Sequence, residues 1–203
     1  MATLLMKALD AAFGHPKGKV GELGGRLMAR MNSGVEAHII DVAQLRPDEI
    51  VLVVGPGPGV GLRAAGTRAL RAIGVDPSEV MLTGARERCA ELIASGRVAL
   101  QKGTAEHTCQ PDSSVDVVIS VNNIQLWGDR PAAFAELHRV LKPGGRLLVS
   151  VHRLMLDISE YTLIEEAEDA GFAGVRTSVQ PHGKLMPPAV QLFASRSTPD
   201  VGA

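Results

Sequence analysis

Seven short runs rich in β-branched residues recur along the chain, at Ile50–Val54, Ala72–Val75, Val98–Leu100, Val115–Val121, Leu147–Val151, Val175–Val179 and Val190–Phe193. Helix-like segments separate the first five. Ser78 can cap a helix in which Met81, Ala85, Cys89 and Leu92 share one face, with Gly96 just past its end. Phe134, Leu137 and Leu141 repeat at helical spacing, from Pro131 to a stop at Pro143-Gly144-Gly145. Ser159 opens a further helix through Ile164 and Ala167 that closes at Gly171. Near-continuous apolar strands alternating with helices predict an α/β fold, a parallel sheet covered on both faces. Only residues 180–189 separate the last two runs, too few for a helical crossover, so that pair is expected to be antiparallel. The chain thus divides into an N-terminal helical lid segment, 1–45, with Ser33 a cap before Val35–Leu45, and one sheet domain, 46–203.

Composition closes off several classes of function. Hydrophobic residues are 45% and charged residues 21%, the profile of a globular domain, and the formal net charge is -1. With no run of five like charges, a nucleic-acid tract or a polybasic membrane patch is not expected. No stretch approaches the length of apolar chain that spans a bilayer. Lys7 and Asp10 interrupt the first residues, so no signal-peptide core is read there. The two cysteines, Cys89 and Cys109, lack C-x-x-C spacing and read as reduced thiols of a cytoplasmic protein. A homodimer is compatible with all of this.

The strongest local signal is Val51-Leu52-Val53-Val54-Gly55-Pro56-Gly57-Pro58-Gly59-Val60-Gly61. An apolar strand enters a glycine turn and then a helix. Glycines serve where backbone bends sharply or a ligand comes close. Asp76 ends the next strand, at a spacing that suits a carboxylate accepting from a ribose diol. A P-loop needs Gly-Lys-Ser/Thr, which is missing, and a dinucleotide fingerprint needs a third small residue where Val60 or Leu62 stands. The residues point to a nucleoside cofactor at the carboxyl edge of the sheet.

Gly55–Gly59, Gly74-Val75-Asp76, Gly103-Thr104-Ala105-Glu106, Ser114–Trp127 and Leu137-His138-Arg139-Val140-Leu141-Lys142-Pro143-Gly144-Gly145 resemble, in order, the motifs of class I S-adenosylmethionine-dependent methyltransferases over about residues 45–195. The resemblance implies a Rossmann-like, doubly wound, mostly parallel seven-stranded sheet with a reversed last strand, preceded by N-terminal helices. It also implies S-adenosyl-L-methionine as cofactor and a small-molecule acceptor. By the same resemblance Gly55, Gly57 and Gly59 approach the methionine part, and Asp76 holds the ribose hydroxyls. Thr104, Ala105 and Glu106 lie along the adenine edge, with Pro77 and Met81 packing the ring. Asn122 stands where the methionine end and the acceptor meet. Asn123, Trp127 and Met186 are the candidate acceptor contacts.

Two positions depart from the family pattern. Val53 stands where an acidic residue commonly precedes the glycine turn, and Thr104 where an aspartate is common. Each lost hydrogen bond would cost about 0.5–1.5 kcal/mol, so a weakened cofactor site is expected. The same departures motivate the alternative, a degenerate binder of S-adenosylmethionine or S-adenosylhomocysteine with a regulatory role. Methyl transfer asks little beyond alignment, and a base only if the acceptor arrives protonated. His152, ending the fifth run, and His182, in the turn before the last, are the candidate bases. No metal site is read: His107-x-Cys109 lacks partner ligands, and Asn122-Asn123 stand where metal-dependent relatives carry carboxylates. The acidic run Glu165, Glu166, Glu168, Asp169 reads as a solvated helix face, and residues 122–130, 180–189 and the N-terminal helices as the lid.

Overall fold

A computed structural model describes residues 34–182 and 186–198. All seven runs are strands of one sheet: β1 (Ile50–Val54), β2 (Arg71–Asp76), β3 (Val98–Lys102), β4 (Val115–Val121), β5 (Leu141–His152), β6 (Phe172–His182) and β7 (Met186–Arg196). Their order is β3-β2-β1-β4-β5-β7-β6. β1 to β5 pair in parallel, and β7 lies antiparallel between β5 and β6. From β1 the chain builds outward through β2 and β3, then returns to place β4 on the other side. The crevice this leaves at the carboxyl ends of β1 and β4 is where open α/β sheets take ligands.

Period-two alternation splits each central strand between two cores. Val51 and Val53 face α1 (residues 34–42) and α2 (Val60–Arg68), packing with Ile39, Ile40, Leu62, Val117 and Ile119. Leu52 and Val54 face the other way, toward α5 (Arg130–Val140) and α6 (Glu160–Asp169), among Val118, Phe134, Leu137 and Leu163. Each fully buried Ile or Leu contributes about 1.5–3 kcal/mol relative to exposure. α1 is therefore part of the core. Its far end is fixed by Arg146 of β5, which donates to the carbonyls of Ala43 at 2.7 Å and Gln44 at 3.4 Å and forks onto Glu49 at 2.6 and 3.0 Å. Glu49 is 1% exposed. Burial alone would raise its carboxyl, but Arg146 and Arg46 hold it below the usual range.

Several expectations are met and several corrected. Ser78 and Ser159 do cap their helices, accepting from the amides of Met81 at 3.4 Å and Thr162 at 3.0 Å. The helix expected to run to Gly96 breaks at Cys89 into α3 (Glu79–Arg88) and α4 (Ala90–Ala94). Cys89 leaves helical geometry (φ -104, ψ 12) where its buried Sγ lies 3.8 Å from the Gly59 carbonyl. The helix expected to stop at Pro143 ends at Val140, because Leu141 already pairs with Val115 in the sheet. Residues 180–182 and 186–189, read as a loop, belong to β6 and β7, which pair as far as His182 with Met186. Glu166 is not simply solvated: it bonds Arg130 at 3.0 Å and ties α6 to the start of α5. The Ser33 cap and the earlier N-terminal helices lie outside the described residues.

Candidate functional site

The glycine turn leaves β1 through three left-handed residues, Gly55 (φ 64), Gly57 (φ 51) and Gly59 (φ 85), and they do different things. A Cβ on Gly55 would sit 2.2 Å from the Asn123 side-chain nitrogen, so this glycine makes room for an amide of the chain itself. A Cβ on Gly59 would lie 2.9 Å from Cα of Ala85, so Gly59 lets α3 approach the turn. A Cβ on Gly57 would meet nothing within 4 Å. That bare stretch of backbone opens onto a cavity of about 290 Å³ at the carboxyl ends of β1, β2 and β4.

Most of the residues picked from the sequence come together on its walls. Gly55 and Gly57 stand at one end, Asp76, Pro77 and Met81 along one side, Thr104, Ala105 and Glu106 along another, and Asn122, Asn123 and Trp127 opposite the turn. Asp76 is 6% exposed, and its Oδ1 accepts from the Ser78 amide at 2.9 Å, which aligns the end of β2 with the cap of α3. Asn122 takes a left-handed conformation (φ 50) as the chain leaves β4. Its Oδ1 accepts from the His152 amide at 2.9 Å, bridging the ends of β4 and β5. Asn123 Oδ1 accepts from the indole of Trp127 at 2.8 Å, and Trp127 packs edge-on to Phe134 at 5.5 Å.

Glu106 fastens one rim to another. It accepts from the amides of Gly128 at 2.7 Å and Asp129 at 3.1 Å. Burial would raise its carboxyl, but these amides, its own amide and the Thr104 hydroxyl outweigh that and lower it. Thr104 thus has an assigned partner in the structure.

Other candidates fall elsewhere. Gly59 is buried in the turn and does not line the cavity. His152 is 7% exposed at the end of β5, and His182 sits at the β6–β7 turn. Among the described residues no histidine lines the cavity. Met186 pairs with His182 at that turn.

The sequence reading missed Glu36. It reaches the cavity from α1, and its carboxylate accepts a short hydrogen bond from the amide of Gly61. Burial pushes its carboxyl up to about 7, with the Gly61 amide and the charge of Arg88 pulling the other way. No motif marks this residue. The only signal would have been the absence of an acid at Val53. Ser78, Val121 and Leu126 also line the cavity unannounced.

Comparison with known proteins agrees with this geometry. Residues 52–149 match the protein family described as "Methyltransferase domain". The "Uncharacterized methyltransferase YdaC" of Bacillus subtilis is 31% identical over 139 residues, 68% of this chain and 75% of the relative. "Phosphoethanolamine N-methyltransferase 1" of Arabidopsis thaliana is 35% identical over 114 residues, 56% of this chain and only 23% of that longer protein. The solved phosphoethanolamine N-methyltransferase 2 of Haemonchus contortus, in complex with phosphomonomethylethanolamine and S-adenosylhomocysteine, superposes with TM-score 0.77 at 17% identity, over 94% of this chain and 59% of that one. At that identity the last likeness speaks for the fold. A strand order with β7 reversed, a glycine turn facing a strand-end aspartate, and a relative aligned over most of both chains lead to one assignment: the chain belongs to the class I S-adenosylmethionine-dependent methyltransferases, with S-adenosylmethionine as its cofactor.

Proposed function

We propose that this methyltransferase transfers the methyl group to a small-molecule acceptor by in-line displacement, with its cofactor in the cavity at the glycine turn. The observation that carries this reading is the bare backbone at Gly57, open to the cavity that Asp76 and Asn122 also line. Those residues fit the cofactor. Asp76 offers a carboxylate for a ribose diol, and Met81 and Ala105, both nearly buried, offer an apolar slot for a flat base. Bound S-adenosylmethionine supplies an activated methyl on a sulfonium, so the chemistry belongs to the cofactor and the protein contributes alignment. Asn122 is held between β4 and β5, which fixes the wall where an acceptor would lie. Trp127, locked by Asn123 and Phe134, forms the side of the cavity.

A small acceptor is supported by the charge of the walls. Glu36, Asp76 and Glu106 line the cavity, and no Lys, Arg or His does so among the described residues. A polyanion such as nucleic acid would be repelled from such a mouth. Cys89 and Cys109 are both free thiols, which supports a cytoplasmic setting. His152, at the end of β5, and His182, at the end of β6, remain the candidate bases. The alternative of a degenerate binder loses its motive, because Thr104 has a structural partner and Glu36 brings a carboxylate beside Val53.

The test is methyl transfer from isotopically labelled S-adenosylmethionine into a fractionated cell extract. Label in the low-molecular-weight fraction supports the proposal. Label confined to protein or RNA would overturn it.

A further inference from the structure

Among the described residues three carboxylates line the cavity, and two are already engaged. Asp76 lies at the end of β2 with Oδ1 on the Ser78 amide. Glu106 takes the amides of Gly128 and Asp129 and the Thr104 hydroxyl. Glu36 has the Gly61 amide and no ion pair among the described residues. It stands at the glycine-turn end of the cavity and also lines a second, very small cavity with Val53, Gly55 and Gly61. The chain is built around it there. A Cβ on Gly61 would lie 2.9 Å from Glu36 Oε2 and 3.4 Å from its Cβ, so a side chain at this position would push the carboxylate from its seat.

A half-buried carboxylate with no ion pair among the described residues is a natural seat for a cation that a ligand brings. The amino-acid end of the cofactor carries an α-ammonium and an α-carboxylate, and the α-ammonium is the cation that S-adenosylmethionine and S-adenosylhomocysteine share. We propose that Glu36, delivered from α1, is the counter-charge for the α-ammonium of the cofactor's amino-acid end, filling the place at the glycine turn that Val53 leaves without an acid. The proposal rests on the cofactor assignment and on the placement of that cofactor in this cavity.

Proton linkage follows with a definite sign. The groups facing Glu36 are the Gly61 amide from α2 and, among the described residues, the charge of Arg88 from α3, whose Nε is held by the Pro58 carbonyl at 2.8 Å. With burial dominant, the free carboxyl titrates near 7. A bound cation favours the ionised form and lowers it, so binding at or below neutral pH expels a proton. Cofactor affinity should rise with pH up to about 7, by at most about tenfold per unit, and level off above it.

The test is calorimetric titration of wild type, Glu36→Gln and Glu36→Asp with two probes, S-adenosylhomocysteine and 5′-methylthioadenosine, which lacks the amino-acid end. At pH 8 Glu36→Gln should weaken S-adenosylhomocysteine about 10- to 100-fold, as for a hydrogen bond to a charged group, and change methylthioadenosine by less than about twofold. Glu36→Asp should fall between. Titration of wild type in buffers of different ionisation heat at pH 6.5 should show proton release with S-adenosylhomocysteine and none with methylthioadenosine, a readout that needs no variant to fold. Equal losses for both probes, or no loss and no proton release, would overturn the role of Glu36 while leaving the cofactor site standing. Wild type that binds neither probe would overturn both. Unchanged affinity with lost turnover would also refute it, assigning Glu36 to the acceptor.

Discussion

Exchanging each of two glycines for alanine should damage the protein in opposite ways. At Gly59 the added methyl meets Ala85 Cα at 2.9 Å, and α3 would have to move away from the turn. Overpacking of that kind costs about 1–3 kcal/mol. Holding alanine at φ 85 costs roughly another 1–2 kcal/mol. The sum, about 2–5 kcal/mol, corresponds to a fall in Tm of roughly 4–20 °C for a chain of this size. At Gly57 only the conformational cost applies, because nothing lies within 4 Å, so Tm should fall by roughly 2–8 °C. The new methyl projects instead into the cavity, and affinity for S-adenosylhomocysteine should drop more than tenfold. Scanning calorimetry of the free variants and titration at a temperature where both are folded separate the two effects. The reasoning fails if Gly57→Ala binds like wild type, or if Gly59→Ala melts no lower than Gly57→Ala.

Asp76→Ala should weaken S-adenosylhomocysteine by about 1.5–3 kcal/mol in the same titration, and unchanged affinity would remove Asp76 from the site. Thr104→Asp should loosen the rim instead of completing it, because a second carboxylate would face Glu106 and take away its hydroxyl donor. Faster hydrogen exchange at Gly128 and Asp129 and weaker cofactor binding are expected, and tighter binding would refute this. Glu136 is buried against Thr108, 2.8 Å from its amide and 2.6 Å from its hydroxyl, and against Arg139 at 2.7 Å. Burial would raise its carboxyl, but Arg139 and Thr108 lower it from 4.5 to about 2. A depressed carboxyl stabilises the fold above its unfolded pKa, and that stability is lost as pH falls from 4.5 towards 2. With Arg139 partly solvated, Glu136→Gln should cost on the order of 1–3 kcal/mol in urea unfolding at pH 7, and the deficit should shrink below pH 4.5. A deficit independent of pH would assign the loss to packing.

What the sequence made legible follows the backbone. Val115–Val121 is a strand at those same residues, because a β-branched run buried on both faces has no competing structure. The reversed β7 was readable from the short connection alone. Boundaries failed where tertiary pairing overrode local pattern. Leu141 continues the helical spacing of Phe134 and Leu137 and its amide still donates to the Leu137 carbonyl, but its backbone is extended (ψ 138) and in register with Val115 of β4, and Pro143 to Gly145 lie within a strand instead of ending a helix. At Cys89 the apolar face is continuous, and the break shows only in the backbone (φ -104, ψ 12), where its Sγ meets the Gly59 carbonyl of the glycine turn.

The candidate site divides along the same line. Its glycines and Asp76 are set by strand ends and a turn, so spacing along the chain found them. The individual duties of the three glycines could not be found that way, since each depends on what packs opposite: Asn123, open space, or Ala85. The carboxylates show the limit most clearly. Read locally, Val53 and Thr104 are losses from a familiar pattern. In space, Thr104 supports Glu106 twenty-odd residues ahead of the rim that Glu106 holds, and Glu36 arrives at the turn from a helix that precedes the first strand. A carboxylate delivered across a packing interface needs a bare glycine to receive it, and Gly61 is that glycine. The pair is therefore coupled: Gly61→Ala should displace Glu36 and cost little extra in a Glu36→Ala background. Additive losses in urea unfolding of the double variant would show that the two residues act independently.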